Sequence, residues 1–211
     1  MQILIDNELG NLEEYFPIAK KKICQLEIKL REKYGMRDEK ILGINMGNSF
    51  ADDISTCLRN NVGGLARVLK LMKLSFGKRF LELGCGGFPY SPDNVGNFRS
   101  TNWEPWLCRI LNEVGYHVIG IDLGELDYES FECYGGVNAV DLRDSLVYKK
   151  IPDSSLDAVY LGLLFSGSPT LGEILDERKI KKHEFFENLI EDLSPKMKNN
   201  GIIYQHLLYK Y

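Results

Sequence analysis

The residues best placed to do chemistry lie where apolar runs end in glycines or acids. The run Phe80-Leu81-Glu82-Leu83 enters a turn, Gly84-Cys85-Gly86-Gly87. Glycines there permit positive φ and let the backbone come close to a ligand, although any tight strand-to-helix turn can use two of them. Glu82 puts a carboxylate two residues ahead of the turn, where it repels a pyrophosphate and suits a ligand carrying an ammonium group. Val118-Ile119-Gly120-Ile121 ends in Asp122. An acid at a strand end can accept both hydroxyl protons of a ribose in a charge-assisted pair, or it can cap a helix or lie solvated. Asn138-Ala139-Val140-Asp141-Leu142 repeats that pattern. Gly84-x-Gly86 also begins the Gly-x-Gly-x-x-Gly pattern of dinucleotide sites. Against that reading, Pro89 occupies the place of the third glycine.

Bases and metal ligands are sparse. Of the three histidines, His206 lies near the carboxyl end of the last predicted strand and is the one candidate base. His117 begins a strand at the opposite end of the sheet, and His183 lies on a helix surface. Five cysteines (Cys24, Cys57, Cys85, Cys108, Cys133) are scattered without a Cys-x-x-Cys pair, which argues against a zinc site and against a disulfide framework.

These groups need elements to hold them. From Asn11 to about Ser75 the pattern is helical: Leu12, Phe16, Ala19, Ile23, Leu26 and Leu30 recur at steps of three and four. Pro17 marks a first turn or a kink, and Gly35 closes the stretch. A second helix opens at Ser49, with Ser49 and Asp52 as a capping pair, is interrupted from Asn60 to Gly64, and resumes through Met72. From Lys78 onward short apolar runs alternate with helical or loop segments. Strands are predicted at Arg79–Leu83, His117–Asp122, Val137–Asp141, Leu156–Leu161 and Gly201–Leu208. Helices are predicted over Trp103–Val114, with a Thr101/Glu104 capping box, and over Lys179–Leu193. Strands alternating with crossovers imply a parallel sheet whose ligand sits beyond the carboxyl ends of the strands. The expected architecture is α/β: a Rossmann-like, mostly parallel sheet of about five strands (residues 77–211) with helices on both faces, after an N-terminal helical extension (residues 1–76).

Composition narrows the class. The chain has 211 residues, 44% of them hydrophobic and 27% charged, enough for one folded domain and its extension. A net charge of −4 supplies no basic field for nucleic acid or anionic lipid. The runs Lys20–Lys22 and Arg178–Lys182 read as solvated helix faces. No signal peptide and no bilayer-length apolar stretch is evident, so a soluble, cytoplasmic protein is expected.

Taken in order, five pieces resemble the class I S-adenosylmethionine-dependent methyltransferases from about Arg79 to Leu208. They are the Glu82-x-Gly84-x-Gly86 turn, Asp122, Asp141-Leu142, the Ile151-Pro152-Asp153 to Val159 stretch, and Leu193-Ser194-Pro195 leading to Gly201. The resemblance implies that Glu82, Gly84, Cys85 and Gly86 lie along the methionine half of S-adenosylmethionine. It implies that Asp122, with Leu123, holds the ribose. Asp141 and the Leu142 amide would read the adenine edge, and Leu161 and Gly162 would sit beside the cofactor. The implied reaction is methyl transfer, with a small molecule favoured as acceptor and no nucleic acid or membrane partner. A catalytically silent cofactor-binding protein acting through a partner is the alternative.

Three departures from the family stand out. Gly84 and Asp122 are 38 residues apart, against roughly 20 in a simple βαβ unit. The excess lies in Phe88–Asn102, whose aromatic and loop-forming residues suggest a substrate-side lid. The Leu123–Gly136 segment leaves room for only a brief helix. Tyr211 follows the fifth strand closely, leaving no sequence for the family's sixth and seventh strands. The apolar edge of the fifth strand is therefore expected to be covered by the N-terminal helices or by a second copy of the chain.

Overall fold

A run of six apolar or aromatic positions broken only by Asp157, Leu156–Leu161, suits a strand buried on both faces, and such strands belong to parallel sheets. The computed structural model describes residues 1–5, 8–35, 47–86, 105–122, 126, 129–135, 145–161 and 181–205. In chain order its elements are β1 (Gln2–Ile5), α1 (Tyr15–Leu30) continued by a π-helical turn (Arg31–Gly35), α2 (Gly47–Asn60) and α3 (Val62–Leu74). They continue with β2 (Arg79–Leu83), α4 (Trp106–Val114), β3 (His117–Ile121), β4 (Glu132–Tyr134) and α5 (Ser145–Lys149). The last are β5 (Leu156–Leu161), α6 (Lys182–Leu193), a 3₁₀ turn (Ser194–Lys196) and β6 (Met197–Gln205).

The six strands form one sheet in the order β1-β6-β5-β2-β3-β4, and every neighbouring pair is parallel. Their register puts Ile5, Gln205, Leu161, Leu83, Ile121 and Tyr134 on one line across the sheet. Every residue that leaves the sheet at its carboxyl side therefore starts from a common rim. One face packs under α1, α3 and α4 through Phe80, Val118, Ala158, Tyr160, Ile202 and Tyr204. The other packs against α5 and α6 through Leu81, Ile119, Val159, Val147, Leu189 and Leu193. The architecture is the expected Rossmann-like α/β sheet with helices on both faces.

The structure departs from the sequence reading at several elements. β1 was not anticipated, because four residues are too short to show a period. It pairs with β6 (Gln2↔Ile202 to Ile5↔Gln205), so a strand from the N-terminal part, rather than a helix or a second copy, occupies that edge. The N-terminal helices instead share one continuous core with the sheet. β4 lies at Glu132–Tyr134, inside the stretch expected to hold only a brief helix. The predicted strand Val137–Asp141 lies outside the described residues, as do the Phe88–Asn102 insertion and the Thr101/Glu104 box. α2 begins at Gly47, so Ser49 is inside its first turn rather than capping it. The break between the second and third helices narrows to Asn61, and Gly63 and Gly64 are helical. A Cβ on Gly64 would stand 3.3 Å from Leu107 Cδ2 of α4, so the glycine serves close helix packing instead of a break.

Asp157 fastens the amino ends of three strands. Its buried carboxylate accepts hydrogen bonds from the Lys78 and Arg79 amides, both at 2.9 Å, and from Lys198 Nζ at 2.7 Å. Burial opposes ionisation, but Lys198 and the two amides outweigh it and hold the carboxyl below its ordinary 3.8. A depressed acid contributes stability that is complete above the unfolded-state pKa and is lost as pH falls through the folded value. Asp157→Ala is expected to reduce stability by about 3 kcal/mol near neutral pH, from the charged hydrogen bond and the two stranded amides. Urea melts should show this loss shrinking as the solution is made acid.

Candidate functional site

The sequence Glu82-Leu83-Gly84-Cys85-Gly86 carries β2 over the rim and turns it onto the end of β3. Gly84 and Gly86 have φ of +70° and +91°, conformations that residues with a Cβ avoid. The turn is held by three amides. Gly84 N and Cys85 N donate to the Ile121 carbonyl at 2.8 and 3.3 Å, and Gly86 N donates to Asp122 Oδ2 at 2.9 Å. Asp122 N in turn donates to Tyr134 O of β4 at 3.2 Å. The turn, the acid and the end of β4 thus form one hydrogen-bonded rim over β2, β3 and β4. This is the side of β2 on which the chain proceeds to β3, while β5 flanks β2 on the other side. The strand order thus reverses between β2 and β5, and open α/β sheets bind ligands outside the carboxyl ends of the strands at such a point.

One residue in from the rim, Cys133, Gly120, Glu82, Tyr160 and Tyr204 share a row on the face under α1, α3 and α4. Gly120 leaves a gap beside Glu82. A Cβ there would stand 2.9 Å from Phe131 Cε2, 3.0 Å from Cys85 Sγ and 3.5 Å from Cys108 Sγ, so those three groups fill the space. On the other side Tyr160 stacks on Tyr204, with ring centroids 5.6 Å apart.

Glu82 is buried in this row and accepts a hydrogen bond from Cys108 Sγ of α4 at 3.0 Å. Burial pushes its carboxyl up to about 8. The Cys108 bond works against this and the nearby Asp122 carboxylate adds to it. Burial also pushes the Cys85 thiol up to about 12 and that of Cys108 well above its ordinary range. Both cysteines are thus protonated packing groups, not nucleophiles. No two of the five cysteines form a disulfide. Among the described residues no group of histidines, cysteines and acids could hold a metal ion, and no helix is long and apolar enough to cross a membrane.

Of the predicted site residues, the structure brings together Glu82, Gly84, Cys85, Gly86 and Asp122. Leu161 ends β5 on the same line as Leu83, but its buried side chain belongs to the opposite face of the sheet. Leu123, Asp141, Leu142, Gly162 and His206 lie outside the described residues. His117 is exposed at the amino end of β3, away from the rim, and His183 is exposed in the first turn of α6. Sequence reasoning did not single out Cys108, Phe131 or Gly120. A lone glycine inside an apolar strand was the available signal, since it marks close approach by another group.

A comparison of the chain with protein-family models, curated proteins and solved structures finds no match.

Proposed function

We propose that the chain is an S-adenosylmethionine-dependent methyltransferase acting on a small-molecule acceptor. The observation that carries this reading is the polarity of the rim. The Gly84, Cys85 and Gly86 amides are engaged by β3 and Asp122, so they do not form the N–H cradle that a pyrophosphate requires. Two carboxyl groups, Glu82 and Asp122, stand where a dinucleotide would bring negative charge. A ligand with a cationic end and a ribose suits them, because Asp122 can accept from hydroxyls and the acids favour a cation. S-adenosylmethionine has both features, and it would supply a methyl group activated on a sulfonium. The chain's own part is to orient that ligand along the turn and to keep water from the reacting centre. Transfer to a soft nucleophile needs no protein base.

Calorimetry with S-adenosylmethionine, S-adenosylhomocysteine and NAD tests the reading. Binding of the first two and not of NAD is expected. Asp122→Ala is expected to weaken both at least about tenfold, because one charged hydrogen bond contributes roughly 1.5–3 kcal/mol. Binding of NAD alone, or unchanged affinity in Asp122→Ala, would overturn the assignment.

A further inference from the structure

We propose that Glu82 carries a proton in the ligand-free chain and releases it to solvent when the cationic end of the ligand settles at the glycine turn, so that ligand uptake is coupled to proton release. The inference deepens the reading of the rim as a site for a cationic ligand and rests on it.

Glu82 is 6% exposed, on the third strand in from the β4 edge of the sheet and beneath α4, with Phe80 and Tyr160 on the same face. Its hydrogen-bond partner is a thiol, a weak donor, and among the described residues no cation acts on it. The groups facing it are few. Cys108 comes from α4, Cys85 from the turn, Asp122 from the end of β3, Cys133 from β4 and Tyr160 from β5; β3 itself offers Gly120 in the same row. Asp122 is the one that adds charge near neutral pH, and that charge is negative. An ionised carboxylate here would be desolvated and repelled, and the weak Cys108 thiol donor offsets only part of that, so the neutral acid is the stable form.

A bound ammonium or sulfonium reverses this balance. Placed over Gly84–Gly86, beside Asp122 and two residues along the chain from Glu82, it supplies the missing opposite charge and makes the Glu82 carboxylate the favoured form. The proton passes to bulk buffer, and the neutral acid with a cation becomes a carboxylate–cation pair. The sign follows directly. Binding that expels a proton tightens as pH rises toward the pKa of the free carboxyl and levels off above it. The same group makes the free chain lose stability as pH rises from the ordinary carboxyl range toward about 8, since the folded state holds a proton that the unfolded state gives up.

Calorimetry of the full chain with S-adenosylhomocysteine, in buffers of different ionisation enthalpy, counts the protons released. Close to one proton per ligand is expected at about pH 6.5, with affinity rising up to about tenfold per pH unit below pH ~7.5. Glu82→Gln imitates the neutral acid and should abolish both the proton release and that pH dependence. Infrared spectra of the ligand-free chain give a second readout. A protonated-carboxyl band at neutral pH, absent in Glu82→Gln, is expected. Bound ligand with no proton released, or a free chain lacking the band, would overturn the coupling and leave the site reading intact. Absence of any binding would overturn both.

Discussion

Arg109→Ala is expected to destabilise the chain by about 3–5 kcal/mol, the loss typical of a buried ion pair deprived of one partner. Arg109 is fully buried on α4. Its guanidinium carbon lies 4.1 Å from the Tyr34 ring centre and 4.5 Å from that of Trp106. Its Nε and Nη2 reach the Glu129 carboxylate at 3.1 and 2.7 Å, and the two side chains are 1% and 4% exposed. Alanine would leave Glu129 charged in an apolar setting and would empty the space between two rings. Replacing the pair together, Arg109→Met with Glu129→Leu, should recover most of the loss, since apolar groups of similar volume serve as well in such positions. Urea melts of the single and double variants check this. A single-variant loss below about 1 kcal/mol would mean that water reaches the pair.

Gly86→Val is expected to lower affinity for S-adenosylmethionine and S-adenosylhomocysteine at least about 100-fold while the chain stays folded. A β-branched residue at φ +91° is strained by roughly 1–2 kcal/mol, which a domain of this size can bear. The effect on binding is larger for two reasons. The side chain would project from a turn along which the ligand is proposed to lie, and relaxation of φ would swing the Gly86 amide away from Asp122. Calorimetry and a thermal melt on the same sample separate the two effects. Retained affinity with an unchanged melt would show that the ligand does not approach Gly86.

The sequence was most informative where one physical signal dominated. Arg79–Leu83 and Leu156–Leu161 form at their predicted bounds because short, mostly apolar runs flanked by turn residues leave little choice. The turn and Asp122 were legible because glycine spacing and a terminal acid are local features. What escaped was relational. No local pattern says that Cys108 will stand 3.0 Å from Glu82, or that Gly120 makes room for a thiol from the turn and another from α4. The role of Asp122 was half legible: its place at the end of β3 was predicted, but its bond to the Gly86 amide depends on how far the turn folds back. Gly64 misled because low helix propensity was overridden by packing against Leu107.

The pairing of β1 with β6 also constrains the order in which the molecule can be assembled. Gln2 meets Ile202, and Ile5 meets Gln205, across nearly the whole length of the chain. During synthesis β1 is made before every other described element, and its hydrogen-bonding partner after them. The helices and central strands can condense early through contacts closer in sequence, whereas this ladder must await one long-range closure. Until then the Ile202–Tyr204 edge is an open template for other strands. The same topology leaves β1 held along one side only, so the amides of this four-residue strand should exchange with solvent before those of the central strands.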